Sequence, residues 1–241
     1  MSHARYPLWR AFERAGYSRG EVIVKLKEGP RLMLRSPPAR DLETAYELFQ
    51  QEVYRFAVER VGGDVRLIVD LGANAGFSLT YFAWNFPRAR FVVFEPNPTL
   101  LRALYRNVQL NGLESRVIGH PTAACTTSGD IELTDEESES SVLTRPGART
   151  LTVRGEDLFE ALSGLRIDLL KMDIEGAEHG LLADSRFAAL RPRSIVMEWH
   201  STEAHPQGQR RCVESLESLG YSVNTYLDLG PKTGMIYASE A

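Results

Sequence analysis

Two kinds of apolar periodicity divide this chain near residue 64. Before it, short segments of different character succeed one another. "YPLWRAFERAG" has apolar residues at helical spacing and predicts a short helix ending near Gly16. "EVIVKLKEGPRLMLRSP" alternates apolar and polar positions around "EGP", which predicts a β-hairpin with Val22, Val24 and Leu26 on one face. "RDLETAYELFQQEVYRFAVERVGG" sets Leu42, Ala45, Leu48, Phe49 and Phe56 near a period of 3.6 and predicts one amphipathic helix stopped by Gly62 and Gly63. Residues 1–63 are expected to form a cap packed beside the larger C-terminal unit.

From Leu67 the apolar residues come in unbroken runs. "LIVDLG", "RFVVFEPN", "RVIGHPTAA", "IDLLKMDIEG" and "SIVMEWH" read as strands, and "FSLTYFAWNF", "PTLLRALYRNVQLNG" and "AEHGLLADSRFAAL" as helices between them. Alternation of this kind predicts a parallel sheet covered on both faces, within one α/β domain over residues 64–241. Two segments depart from it. "GDIELTDEESESSVLTRPGARTLTV" reads as an inserted β-excursion with an acidic tip. "YSVNTYLDLGPKTGMIYASE" reads as a terminal hairpin that adds an antiparallel strand to the sheet.

The loop after the first parallel strand, "DLGANAG", raises the functional question. Glycines at a strand-to-helix junction let backbone approach a ligand, and the helix start beyond offers unpaired N–H groups. Dinucleotide enzymes use GxGxxG there for pyrophosphate. This loop, Gly72 to Gly76, is GxNxG preceded by Asp70, a carboxylate that repels pyrophosphate and suits an ammonium group. About twenty residues on, Glu95 ends the second strand, where a carboxylate accepts from both ribose hydroxyls. The combination favours a nucleoside with a positive centre, and S-adenosyl-L-methionine fits it.

"DLGANAG", "FEPNP", "IDLLKMDIEGAE" and "VMEWH", in that order and spacing, resemble the FkbM family of S-adenosylmethionine-dependent methyltransferases. The resemblance runs from Asp64 to the C-terminus, and the preceding hairpin and helix are similar to that family's N-terminal region. It implies a Rossmann-like seven-stranded class I methyltransferase sheet with a C-terminal antiparallel hairpin, and methyl transfer to a hydroxyl of a sugar, polyketide or other natural product. Carried over by motif, Asp70, Gly72, Asn74 and Gly76 would line the methionine end. Glu95 would hold the ribose, Pro96 and Asn97 would shape the adenine edge, and Ala123 would pass near the adenine. Asp173 and Glu175 would stand beside the sulfonium.

Ligands of open α/β sheets bind beyond the carboxyl ends of the strands. "KMDIEGAEH" and "MEWH" end there, bringing Asp173, Glu175, Glu178, His179, Glu198 and His200 toward one crevice. An alcohol must lose its proton during methyl transfer, so a positioned base is useful. His200 is the first choice by its titration range, with a pocket-shaping role as the other reading. Glu178 also reads as a carboxylate favouring a helix start. ExxEH from Glu175 to His179, with His200 and His205 downstream, also resembles the metal-binding set of plant small-RNA 2′-O-methyltransferases. No metal is expected here, because "DIEGAE" already belongs to the FkbM pattern. A metal-dependent 2′-O-methyltransferase of RNA and a nicotinamide-dependent oxidoreductase are the alternatives.

Composition narrows the partners. The formal net charge is −4 over 241 residues, which offers no general grip on nucleic acid or an anionic membrane. No apolar run approaches the roughly 18 residues of a membrane span. The two cysteines, Cys125 and Cys212, have neither CxxC nor zinc-ligand spacing and read as free thiols. The N-terminus carries no secretory apolar region, so a cytoplasmic enzyme acting on a small-molecule hydroxyl acceptor is expected. Tyr6, Trp9 and Phe12 would form helix core or a homodimer contact, or else wall the acceptor site.

Overall fold

The computed structural model describes residues 20–240 apart from 28, 38, 137–138 and 142–148. The expected first helix, with Tyr6, Trp9 and Phe12, lies outside the described residues, as does part of the acidic tip. The hairpin is present: β1 (Glu21–Lys25) pairs antiparallel with β2 (Arg31–Arg35) in the register Val22 to Leu34 and Val24 to Leu32. The single helix expected over 40–63 is instead two. α1 (Asp41–Tyr46) runs into a π-helical turn, Glu47–Gln51, and Glu52 adopts φ +55° before α2 (Arg55–Arg60). A continuous helix carrying Ala45 and Leu48 inward would turn Glu52 and Glu59 inward too. The break resets the phase, so Tyr54, Ala57 and Val61 enter the core while Glu52 and Glu59 stay outside, paired with Arg55.

The α/β unit comes next: β3 (Leu67–Leu71), α3 (Phe77–Asn85), β4 (Arg90–Phe94), α4 (Pro98–Leu110) and β5 (Val117–His120). The third strand, expected to continue through Ala124, stops at Pro121, which has no N–H for the ladder. The chain then leaves the sheet. β6 (Ala123–Cys125), β7 (Gly129–Glu136), β8 (Glu139–Ser141) and β9 (Thr150–Asp157) form a second sheet in the order β6-β9-β7-β8, which is the expected excursion. A short α5 (Leu158–Ala161) leads to β10 (Leu169–Met172). The helix expected over 177–190 is split into α6 (Glu178–Ala183) and α7 (Phe187–Leu190), because the chain turns extended at Asp184. β11 (Ser194–His200), α8 (Gly208–Ser218), β12 (Tyr221–Gly230) and β13 (Thr233–Glu240) complete it.

The main sheet has the order β12-β13-β11-β10-β3-β4-β5. β13 is antiparallel to both its neighbours, as the terminal hairpin required. β10, β3 and β4 pair in parallel and carry almost only buried side chains, because helices cover both faces. Among the described residues, no helix is long and apolar enough to cross a membrane.

The cap shares its core with the sheet: Leu32, Met33, Leu34, Tyr54 and Ala57 pack in one cluster with Ile68, Phe82 and Phe91. Asn107 on α4 ties the two parts together. Its Oδ1 accepts from Met33 N–H at 2.6 Å, and its Nδ2 donates to Met33 O at 3.3 Å and to Ala75 O at 2.8 Å. Asn107→Leu should therefore lower stability by about 1–3 kcal/mol, since the buried Met33 and Ala75 groups lose their partner. Urea unfolding measures this, and an unchanged midpoint would mean the network contributes nothing.

Candidate active site

The carboxyl ends of β3, β4, β10 and β11 meet at one edge of the sheet. Gly72 and Ala73 N–H both donate to Phe94 O, at 3.1 and 3.0 Å, folding the glycine loop against the tip of β4. Gly72 has φ +75°, and a Cβ there would stand 1.9 Å from Asp173 O. Only glycine lets the β3 and β10 tips approach this closely. Glu95 is 3% exposed; its two oxygens accept from Asn74 N–H and Asn97 N–H, both at 2.8 Å. Burial pushes its carboxyl up to about 7, against the lowering effect of those two N–H groups and of Lys171.

A narrow cleft of about 80 Å³ lies over Glu95, lined by Gly72, Asn74, Pro96, Ala123, Leu133 and Asp173 among others. Its apolar walls suit a flat base. Glu95 at its floor has lone pairs left for a diol, since each oxygen accepts only one backbone N–H. The donor set therefore fits a nucleoside. A larger cavity of about 420 Å³ adjoins it and shares Gly72, Asn74, Asp173 and Glu175. Its far wall comes from the cap, with Arg40, Glu43, Thr44, Glu47 and Tyr54; its floor has Lys171, Glu198, His200 and Thr233.

Lys171 is the residue that sequence reasoning missed. It is 2% exposed in the middle of the sheet. Nζ donates to Gly72 O at 2.7 Å and Leu71 O at 3.2 Å, and stands 3.1 Å from Asp70 Oδ1 and 3.7 Å from Asp173 Oδ2. Burial alone would lower its pKa, but Asp70 and Asp173 hold it raised. A lone lysine in "IDLLKMDI", a strand buried on both faces, was the available signal.

The expected residues divide. Gly72, Asn74, Glu95, Pro96, Ala123, Asp173 and Glu175 line the cleft. Asp70, Gly76 and Asn97 are not among the residues that line these two cavities. Asp70 is fully buried, accepting from Ser78 Oγ at 2.6 Å beside Lys171. Gly76 lies against Leu104, where a Cβ would come within 3.1 Å of that side chain, so it serves helix packing. Asn97 caps α4, its Oδ1 accepting from Thr99 N–H at 2.8 Å.

Of the ExxEH residues and their downstream histidines, Glu175 and His200 come together beside Asp173, while Glu178 and His179 turn into the core. Glu178 is fully buried and accepts from Gly176 N–H and His200 N–H, each at 2.8 Å. His179 is also buried, with Nε2 2.7 Å from His200 O. Asp173, Glu175 and His200 do bring polar atoms within 4.8 Å of one another, a spacing that an ion could use. His200 Nδ1 lies 3.1 Å from Glu178 Oε1; its Nε2 lies 3.6 Å from Glu175 and 3.7 Å from Glu198. Burial would lower its pKa, but Glu178 above all, with Asp173 and Glu175, raises it to about 10. That direction favours the imidazolium over the neutral ring that a general base needs. His200 lines the larger cavity, as expected of a residue in that crevice.

Residues 70–223 match the methyltransferase FkbM domain. The methyltransferase sdnD of Sordaria araneosa is 30% identical, over 65% of this chain and 73% of that one. A segment of the AMB antimetabolite synthetase AmbE of Pseudomonas aeruginosa is 29% identical over 66% of this chain, but that match spans only 10% of AmbE. In fold, the chain is similar to the precorrin-6y C5,15-methyltransferase of Geobacter metallireducens, with a TM-score of 0.52, 15% identity and coverage of 80% of this chain and 90% of that one. It is also similar to cofactor-bound Rv0187 from MTB, with a TM-score of 0.51, 16% identity and coverage of 86% and 100%. The chain therefore belongs to the FkbM methyltransferase family, a class I methyltransferase whose cofactor is S-adenosyl-L-methionine.

Proposed function

We propose that this enzyme methylates a hydroxyl oxygen of a small, polar natural product, in the cytoplasm and with no nucleic-acid partner. The observation that carries this reading is the larger cavity. At about 420 Å³ it suits a sugar-sized or short polyketide acceptor, and it opens on the Gly72, Asn74, Asp173 and Glu175 wall of the cofactor cleft. Its cap-side wall is polar and carries both signs of charge, which suits a hydroxylated ligand better than a hydrocarbon. The free thiols of Cys125 and Cys212 accord with a reducing compartment.

S-adenosyl-L-methionine supplies an electrophilic methyl group when bound. In this reading Glu95 accepts from the ribose hydroxyls, and Pro96 and Ala123 flank the adenine. Gly72 and Asn74 bound the methionine end, and Asp173, with Glu175 beside it, faces the sulfonium at the junction of the two cavities. Asp70 acts one step back, through Lys171 and Ser78. The cap and the glycine loop exclude water from the reacting oxygen and align it.

Calorimetry with S-adenosylmethionine, S-adenosylhomocysteine and NAD, with and without EDTA, tests the cofactor side. Micromolar binding of the first two, unaffected by EDTA, is expected. Transfer of a labelled methyl group to a panel of polyols, glycosides and hydroxylated polyketides tests the acceptor side, with the product expected to be a methyl ether. A methylated nitrogen or carbon, or activity abolished by EDTA, would overturn the reading.

Glu95 also predicts a pH dependence. Its folded pKa lies above the ordinary carboxylate value, so the stability contributed by the protonated form is complete below about 4.5 and is lost as pH rises through about 7. A diol donates to the ionised form, so cofactor affinity should rise over the same window. Glu95→Gln should flatten that rise and weaken binding by about 1–3 kcal/mol at pH 8, because its amide –NH₂ meets a backbone N–H. Calorimetry from pH 5.5 to 8.5 would reveal an unflattened slope if Glu95 were not the group.

A further inference from the structure

Among the carboxylates that line the larger cavity, Glu198 has one oxygen held by a neighbouring hydroxyl. Glu198 lies near the end of β11 and lines the cavity beside Asp173 and Glu175. Thr233 Oγ1 donates to its Oε1 at 2.7 Å, and His200 Nε2 stands 3.7 Å from the same oxygen. Oε2 has no hydrogen-bond partner among the described residues. One oxygen is thus anchored while the other is open to a ligand. The neighbouring groups are differently placed. His200 is enclosed by Glu178, Glu175 and Glu198, and Glu178 is fully buried.

We propose that Glu198 is the general base of methyl transfer, with His200 a positioning residue that holds the carboxylates around it. The proposal rests on the hydroxyl reading above. The acceptor O–H bond breaks and its proton passes to Glu198 Oε2. The oxygen forms the new bond to the methyl carbon while the carbon–sulfur bond breaks, and its electron pair stays on sulfur as a neutral thioether. The proton then leaves to solvent through the cavity mouth.

The surroundings support this role. Lys171 faces Glu198 from β10 and Asp173 from just beyond its end, His200 from its own strand, Tyr54 from the cap and Tyr226 from β12. Burial, then the charge of Asp173, pushes Glu198 up to about 7, while Thr233, His200 and Lys171 pull it down. A base that titrates near the working pH combines availability with basicity. The carboxylates around His200 raise its pKa, which disfavours it as the proton acceptor. The two roles are the reverse of those expected from residue type alone.

The test has an arm that needs no acceptor. In protein saturated with S-adenosylhomocysteine, carbon-13 spectra of labelled glutamate, assigned with Glu198→Gln, should show Glu198 titrating near 7. Nitrogen-15 spectra of histidine, assigned with His200→Gln, should show His200 still charged at pH 8. A Glu198 titrating in the ordinary carboxylate range beside a neutral His200 overturns the proposal. With an acceptor from the panel of hydroxylated compounds, Glu198→Gln should lower kcat by about 10²- to 10⁴-fold and leave cofactor affinity and KM within about threefold. His200→Gln should instead shift the pH–rate profile, because it removes a charge facing the base. Wild-type kcat in Glu198→Gln, with its cofactor affinity intact, overturns the proposal. A panel without any methyl ether product counts against the hydroxyl reading, and the titration still decides Glu198.

Discussion

Lys171→Met should destabilise the enzyme by about 3–5 kcal/mol, the cost of leaving a buried charge without its partner. Asp70 is fully buried, with Lys171 Nζ 3.1 Å from it, and the same ammonium binds the carbonyls of Leu71 and Gly72. Methionine fills the volume but satisfies none of these groups. The raised pKa of Lys171 means that its contribution is complete at neutral pH and fades only as pH climbs through that raised value. The deficit should therefore be full at pH 7 and narrow in acid, where an unpaired carboxylate takes up a proton. Lys171→Arg should not restore the wild type, because a planar guanidinium cannot occupy the place of a compact ammonium. Urea unfolding of both variants at pH 5 and pH 7 measures this. A loss under about 1 kcal/mol would mean that the buried pair only offsets its own desolvation.

Gly72→Ala is the second large effect. The new Cβ would lie 1.9 Å from Asp173 O, a main-chain atom that cannot rotate away, and Gly72 has φ +75°. Overpacking and the left-handed backbone together should cost about 2–5 kcal/mol. The junction shared by both cavities has to open, so affinity for S-adenosylmethionine should fall by at least about 100-fold, the penalty of an ångström-scale misplacement. Gly112→Ala is the control. Gly112 also has positive φ, +63°, but nothing lies within 4 Å of its would-be Cβ, so only the backbone term of about 1–2 kcal/mol remains. Calorimetry and thermal unfolding compare the two. Equal losses would show that the contact with Asp173 is immaterial.

The sheet was legible because parallel strands buried on both faces leave unbroken apolar runs, and "LIVDLG" and "IDLLKM" could be little else. The terminal hairpin was legible for the complementary reason, a Gly/Pro loop between two β-patterned segments. What failed were phase and interruption. The 40–63 segment carries a helical period on either side of Glu52, and only a π-turn with a left-handed residue reconciles the two halves. In the site, glycine and Glu95 were readable because each follows a strand at a fixed offset. Asp70, Gly76 and Asn97 were placed correctly along the chain, yet they serve the loop and its helices without lining either cavity. The raised pKa values of His200 and Glu198 were not readable. They depend on Glu178 and Asp173, which reach them across strands from twenty or more residues away.

The bond from Asn107 to both Met33 and Ala75 limits how this enzyme can change its acceptor. The cap supplies a wall of the larger cavity, so under the proposed function it is the natural unit to exchange for new specificity. One amide, however, joins the β2 strand of that cap to the glycine loop that receives the cofactor. A transplanted cap that does not present a backbone N–H and carbonyl at the place of Met33 would unsettle the loop as well as the acceptor wall. Specificity in this protein is thus not modular: a chimera's crossover has to lie beyond Arg35, keeping the hairpin native and exchanging only the 40–54 segment.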